Sequence, residues 1–282
     1  MKKTLSLILI VAIASFFYPD KVYAAAPTDY VSCWDLDEAS STRVDANTTN
    51  SNDLTDNNTV LSATGVVGNG ADFELTNSEY LNITDANQVG LDITGDLSFS
   101  TWYKPESAPA TNDAHALMYK WASGNASYGF VFGDNAGTKY MMLLLYESSS
   151  PANSVNYTWT GRNATTSTLT HIVVRFDLVG HASGAGTAEL FINSASQGTV
   201  TDGTISDINN GTGAFSLSSL SSGIQWYSDG VMDVSEIYNR LLTNAEITSL
   251  YNSGAGVACP PASRTGGGGG TTPVFGDIIW FN

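Results

Sequence analysis

Apolar and polar residues alternate along much of this chain. In DLSFSTWYKP, Asp96 to Pro105, Leu97, Phe99, Thr101 and Tyr103 fall on one side of a period-two pattern and Ser98, Ser100 and Trp102 on the other. That period predicts a β-strand. Comparable short runs lie at Tyr30–Glu38, Val66–Leu75, Glu79–Thr84, Ala116–Trp121, Tyr128–Gly133, Tyr140–Tyr146, Val155–Thr160, His171–Asp177, Ala188–Asn193, Ala214–Leu220 and Val231–Tyr238. Clusters of Gly, Asn, Asp and Ser separate them, and Asp45–Leu61 reads as loop. About a dozen short strands with turn signals between them predict an all-β sandwich, barrel or jelly roll.

One segment leaves this rhythm. Thr243-Asn244-Ala245-Glu246 has the spacing of a capping box, and Leu242 and Ile247 occupy the hydrophobic-staple positions. Ile247, Leu250 and Tyr251 recur at helical spacing, and Gly254 is placed to supply a left-handed stop. The pattern predicts a short helix over 244–252, placed to plug one open end of a sandwich.

Charge narrows the partners. The chain carries 27 Asp and Glu against 11 Lys and Arg, a net −16 over 282 residues. Such a surface repels phosphate backbones and anionic lipid, so nucleic acid is excluded as a partner class. Lys2 and Lys3, an apolar stretch from Leu5 to Phe17, and Val22-Tyr23-Ala24 have the order of a secretory signal peptide over 1–24. The apolar run falls short of the ~20 residues that span a bilayer, so a secreted or cell-surface protein is expected, without membrane insertion after cleavage.

Cys33 and Cys259 are the two cysteines. In an exported chain an even count favours a bridge, here closing a loop that the chain-entropy model values at roughly 4–5 kcal/mol. Pairing would set the first and last strands of a domain at 27–259 side by side. Residues 260–270 then read as a Pro/Gly-rich linker. The apolar, aromatic peptide 271–282 either trails loosely, begins a further domain, or adds as a strand to a protein partner.

These blocks together resemble the laminin-G-like modules of the concanavalin A-like lectin/glucanase superfamily. Trp34-Asp35-Leu36-Asp37-Glu38, then Ala39 to Thr42 and Asp45, is similar to the family's first strand and loop. The glycines at 65, 68 and 70 with Phe73, the strand LSFSTWYKP, and LTHIVVRFD followed by AELFINSASQG are similar to the next blocks. Gly230, Asp233, Tyr238, Asn239, Arg240, Leu242, Glu246 and Ile247 match the last one in order. Leu169 and Ser194 depart from the family's Trp and Gly. The resemblance covers roughly residues 28–256. It implies a two-sheet antiparallel jelly roll whose first and last strands are neighbours, with Trp34 and Trp102 at core positions.

The resemblance also frames the chemistry. Glucanase relatives carry Glu-x-Asp-x-x-Glu on one strand, and no such segment occurs here. Asp233 and Glu236 stand three apart, expected on opposite faces of a strand, and His171 reads as structural. We therefore expect no enzyme, with a glycan-active enzyme kept as a minor alternative. Carbohydrate binding, to a glycan or cell-surface polysaccharide, is the leading reading. Its aromatic candidates are Trp121, Tyr128, Trp159, Trp226 and Tyr227, which stand next to Ser, Asn, Gly or Asp. The resemblance further implies a structural calcium ion held by Glu38, Asp45 and Asp233, with Asp37 and Asn47 near enough to contribute. A structural subunit of a surface appendage or virion, docking through 271–282, is the alternative from another class.

Overall fold

A computed structural model describes residues 26–178, 186–202, 205–220, 223 and 225–260. The expected signal segment, the linker beyond Pro260 and the peptide 271–282 lie outside the described residues. Two antiparallel sheets stack face to face. Across the first run β13 (Ala195–Asp202), β12 (Gly186–Ile192), β11 (Thr170–Asp177), β6 (Leu97–Pro105), β15 (Gly230–Tyr238), β4 (Asn69–Phe73) and β3 (Leu61–Thr64). The short β1 (Ser32–Trp34) lies beside the second half of β15, where β4 has ended. Across the second sheet run β10 (Ser154–Thr160), β9 (Thr138–Tyr146), β8 (Tyr128–Asn135), β7 (Ala114–Trp121), β14 (Ala214–Leu217), β5 (Tyr80–Ile83) and β2 (Thr55–Asn57). The jelly-roll expectation is met. Sequence reasoning missed β2 and β3 inside and beside the expected loop, and β13.

Period two explains the core. Phe99 and Tyr103 from the first sheet meet Phe130, Phe132, Leu143 and Tyr157 from the second. Trp34 stacks on Phe215 with ring centroids 5.3 Å apart, and its indole donates to the Asn52 carbonyl. Each such side chain contributes ~1.5–3 kcal/mol by burial.

The helix α1 (Asn244–Tyr251) forms as expected, with the reciprocal Thr243–Glu246 capping box. Two details differ. Asn252, at φ 45°, takes the left-handed cap two residues before Gly254, a conformation asparagine tolerates. The helix also plugs no open end. It lies on the outer face of the first sheet, where Ile247 and Leu250 pack with Trp102, Val173, Phe191 and Tyr238. The helix covers the apolar patch of that face.

The two ends of the described domain meet beneath this helix. Cys33 and Cys259 form a disulfide, with Cα atoms 5.8 Å apart. The Cys259 amide donates to Asp35 at 2.7 Å, Tyr30 donates to the Pro260 carbonyl, and Arg240 pairs with Asp29 and Glu246. Among the described residues no helix is long and apolar enough to cross a membrane.

Candidate functional site

Two places bring chemistry-bearing side chains together, and they differ in what those side chains do. The first is the rim around the segments joined by Cys33 and Cys259. Here Asp45 is buried, and its carboxylate accepts the amides of Cys33 and Asn47 on Oδ1 and of Asn52 on Oδ2, all at 2.9–3.0 Å. Asp233 is also buried and accepts Val66 and Val67 on Oδ2 and Val234 on Oδ1. Glu38 holds the Val44 amide, Asp37 the Asn69 amide, and the Asn47 side-chain amide donates to the carbonyls of Tyr30 and Val31. Burial raises the pKa of Asp45, and takes that of Asp233 up to about 7 against the pull of its three amide donors.

A hard cation needs several oxygens converging on one point. The structure gives Glu38, Asp45 and Asp233 separate tasks, each fixing a different turn, so as a set they do not fit a calcium ion. Among the described residues the acids whose ligand atoms lie within 4.8 Å of one another are Asp72, Glu74 and Glu106.

A bulge in β15 corrects another expectation. Its register slips between Asp233, opposite Trp102, and Glu236, opposite Ser100, and Val234 turns to φ 37°. The extra residue restores parity, so both acids point to the outer face instead of opposite faces. Both are sealed there. Glu236 lies 1% exposed, its Oε1 3.5 Å from Cys33 Sγ, and burial pushes its pKa up to about 8. His171 is structural: it is buried, its Nε2 faces the Ser100 hydroxyl at 3.1 Å, its ring packs on Trp102, and burial holds its pKa near 3.

The second place is the outer face of the second sheet, and only some of the expected aromatics reach it. Tyr128 and Trp159 do not. They point inward, where Tyr128 donates to the Leu91 carbonyl and Trp159 to that of Gly198, so neither offers a ring face. Trp121 and Trp226 are half-buried on the outer cluster, and Tyr227 packs away from it against Tyr80.

The residue that defines this face was missed. Tyr140 of β9 stands opposite Gly133 of β8, and its ring lies over that glycine so closely that a Cβ would come 2.3 Å from it. Glycine in a strand here admits the close approach of a flat ring. Beside Tyr140 and Met142 across β10 are Thr160 and Thr158, both exposed. Asn112 and Asp134 complete a groove of about 590 Å³. Ala136 and Gly137, both at positive φ, make the tight β8–β9 turn above it. Asn112 and Asp134 accept amides of that turn, and Asp134 pairs with Lys139 at 2.7 Å, which holds its pKa down. A half-exposed aromatic face, two free-standing hydroxyls and an amide form a surface suited to a polar ring with an apolar side.

The architecture has counterparts. Residues 75–248, more than half of the chain, match the family model Laminin_G_3, described as the concanavalin A-like lectin/glucanases superfamily. The chain belongs to that superfamily. Its lectin-like sandwich is similar to domain 4 of AbnA, a GH43 extracellular arabinanase from Geobacillus stearothermophilus, in complex with arabinotriose. The TM-score is 0.55 at 16% identity, over 80% of this chain and 98% of that one. It is also similar to the binding domain of Paraclostridial Mosquitocidal Protein 1 (TM-score 0.59, 13% identity, 80% and 52% covered). A third is the binding domain of botulinum neurotoxin DC in complex with SialylT (0.55, 11%, 79% and 50%). The chain thus spans about half the length of each toxin binding domain. At these identities the likeness shows the superfamily fold alone. A search of the curated proteins gives no match.

Proposed function

We propose that this chain is an extracellular, non-catalytic module that binds carbohydrate in the groove over β8, β9 and β10. The observation that carries the reading is Tyr140 held flat on Gly133 between hydroxyl and amide groups. An aromatic face takes the C–H side of a sugar ring while the polar rim bonds its hydroxyls. Support comes from the arabinotriose and SialylT complexes of two structural neighbours. The non-catalytic part rests on the groove lining. Asp134 is the one carboxylate among the described lining residues, and it is paired with Lys139, whereas glycoside hydrolysis takes two flanking carboxyl groups. The disulfide supports an oxidising, extracellular setting.

A glycan array run with and without EDTA tests this. We expect at least one glycan to bind equally in both conditions and to be lost in Tyr140→Ala. A blank array for the wild-type protein removes the carbohydrate reading.

A further inference from the structure

The disulfide has a buried acid against it. β1 and β15 pair so that Cys33 lies directly opposite Glu236, and residues opposite each other in an antiparallel pair share a face. Glu236 Oε1 comes 3.5 Å from Cys33 Sγ. A sulfur in a bridge carries no hydrogen, so the O–H of the protonated carboxyl is the donor in this contact. Burial, which raises the Glu236 pKa to about 8, keeps that proton in place at neutral pH.

An acid is costly at this position. Glu236 lies 1% exposed, with the apolar layer of Val234 and Tyr238 on its own strand. Among the described residues no cation pairs with it, and Arg240 is committed to Asp29 and Glu246. Asp45 and Asp233 each hold backbone amides of a turn, whereas Glu236 meets the sulfur. A neutral side chain of the same size would cost less to bury. A buried acid without a structural partner is a candidate for moving a proton.

The two sulfurs are unequal. Cys33 is fully buried, and Cys259 is half-buried. The segment that carries Cys259 is fixed by contacts independent of the bridge. Its amide donates to Asp35 at 2.7 Å, the Tyr30 hydroxyl donates to the Pro260 carbonyl, and Gly256 lies against Val66, Val67 and Trp102. These contacts keep the sulfurs facing each other when the bridge is open.

We infer that Glu236 carries the proton for making and breaking the Cys33–Cys259 bridge, and that Cys259 is the sulfur that meets the outside reagent. In closure, the Cys259 thiolate attacks an external disulfide and forms a mixed disulfide, releasing one external thiolate. The Glu236 carboxylate then takes the Cys33 S–H proton, and the Cys33 sulfur attacks Cys259 Sγ. The bond from Cys259 to the external sulfur breaks, and that sulfur leaves as a thiolate that water protonates. Two protein thiols are oxidised, and one external disulfide is reduced to two thiols. A protonated carboxyl against a bridged sulfur is the product of this transfer. Opening by an external thiol runs the steps backwards, with Glu236 returning the proton to the departing Cys33 sulfur. The inference stands apart from the carbohydrate reading.

The test follows closure of the full chain after reduction. Reductant is removed, oxidised glutathione is added, and acid-quenched samples are weighed for reduced, glutathionylated and bridged protein. Glu236→Gln, which copies the neutral carboxyl in shape, should take up glutathione at the wild-type rate and then close at least ~10-fold more slowly. Glu236→Asp should restore part of the rate. In Cys33→Ala glutathione should remain on Cys259, and in Cys259→Ala Cys33 should stay unmodified. Closure of Glu236→Gln at the wild-type rate, or glutathione found first on Cys33, overturns the inference. Where Glu236→Gln yields no folded protein, a wild-type closure rate in Glu236→Asp overturns it equally.

Discussion

The rim at the disulfide and the outer face of the second sheet divide the polar chemistry of this molecule in opposite ways. At the rim the functional-looking groups are acids, and both carboxylate oxygens of Asp45 and of Asp233 are occupied by backbone amides. On the outer face the groups are rings and hydroxyls, and they stand at the surface with little internal work. Acids that recur at set spacings can serve a loop as readily as a metal. The proposed binding face is built from a glycine, a tyrosine and two threonines that form no motif. The comparison implies a double dissociation: changes at the rim should cost stability, and changes on the face should cost binding.

The largest effects belong to the rim. Replacing both cysteines, Cys33→Ala with Cys259→Ala, releases a constraint worth roughly 4–5 kcal/mol in the chain-entropy model, read as a drop in the denaturation midpoint. Next is Asp45→Ala, which strands three amide donors at buried positions and should cost roughly 3–4 kcal/mol. Both variants should still bind glycan while folded. A rim variant that keeps its stability but loses binding would break the comparison.

Glu236 sharpens it through pH. Its carboxyl titrates near 4.5 when unfolded and about 8 when folded, because burial disfavours its charge. Between those values the native state binds the extra proton. The stabilisation is therefore complete below pH 4.5 and is lost as pH rises through 8. A shift of this size corresponds to at most roughly 4–5 kcal/mol, and local relaxation on ionisation should bring it to about 3. Urea titrations from pH 5 to 8.5 should show that decline, to which Asp233, raised to about 7, adds below pH 7, and Glu236→Gln should remove the part between pH 7 and 8. An unchanged pH slope in the variant would place the titrating group elsewhere. On the outer face, by contrast, Tyr140→Ala should weaken glycan binding ~10- to 100-fold and move stability by less than about 1 kcal/mol.

The same contrast explains what could be read in advance. Strands with clean alternation, β6 and β11 above all, were legible from period alone, as were the capping box and the paired cysteines. β13 was not, because Ala195–Asp202 is Ser, Thr, Gln and Gly with hardly an apolar position to set the period. Its turn was hidden too, since Asn193 and Ser194 both go left-handed, with Ser194 standing where the family pattern has glycine. At the candidate site the misses have two causes. Tyr128 and Trp159 were judged by their sequence neighbours, when parity along β8 and β10 decides which way a ring points. The outward positions on β10 are Asn156, Thr158 and Thr160, and the rings that alternate with them, Tyr157 and Trp159, face the core. The β15 bulge, which places Asp233 and Glu236 on one face, has no sequence mark, because it arises from pairing with β6. One signal for the groove was present: glycines at 129 and 133 on a single strand, four apart, announce that something flat lies across one face.

The smallest expected effect concerns calcium, and it tests the rim most directly. If Asp45 and Asp233 exist to hold amides, adding a few millimolar calcium to EDTA-treated protein should move the melting temperature by less than about 1 °C, since a ligand stabilises only as it binds the folded state. An increase of several degrees would report a cation site, and two variants would locate it. Loss of the increase in Glu38→Gln, which removes the charge of a half-buried acid, would return the ion to the rim and undo the contrast with the outer face. Loss in Asp72→Asn would assign the ion to the cluster of Asp72, Glu74 and Glu106, where burial and neighbouring acids raise the pKa of the first two. The rim acids would then keep their task of holding backbone.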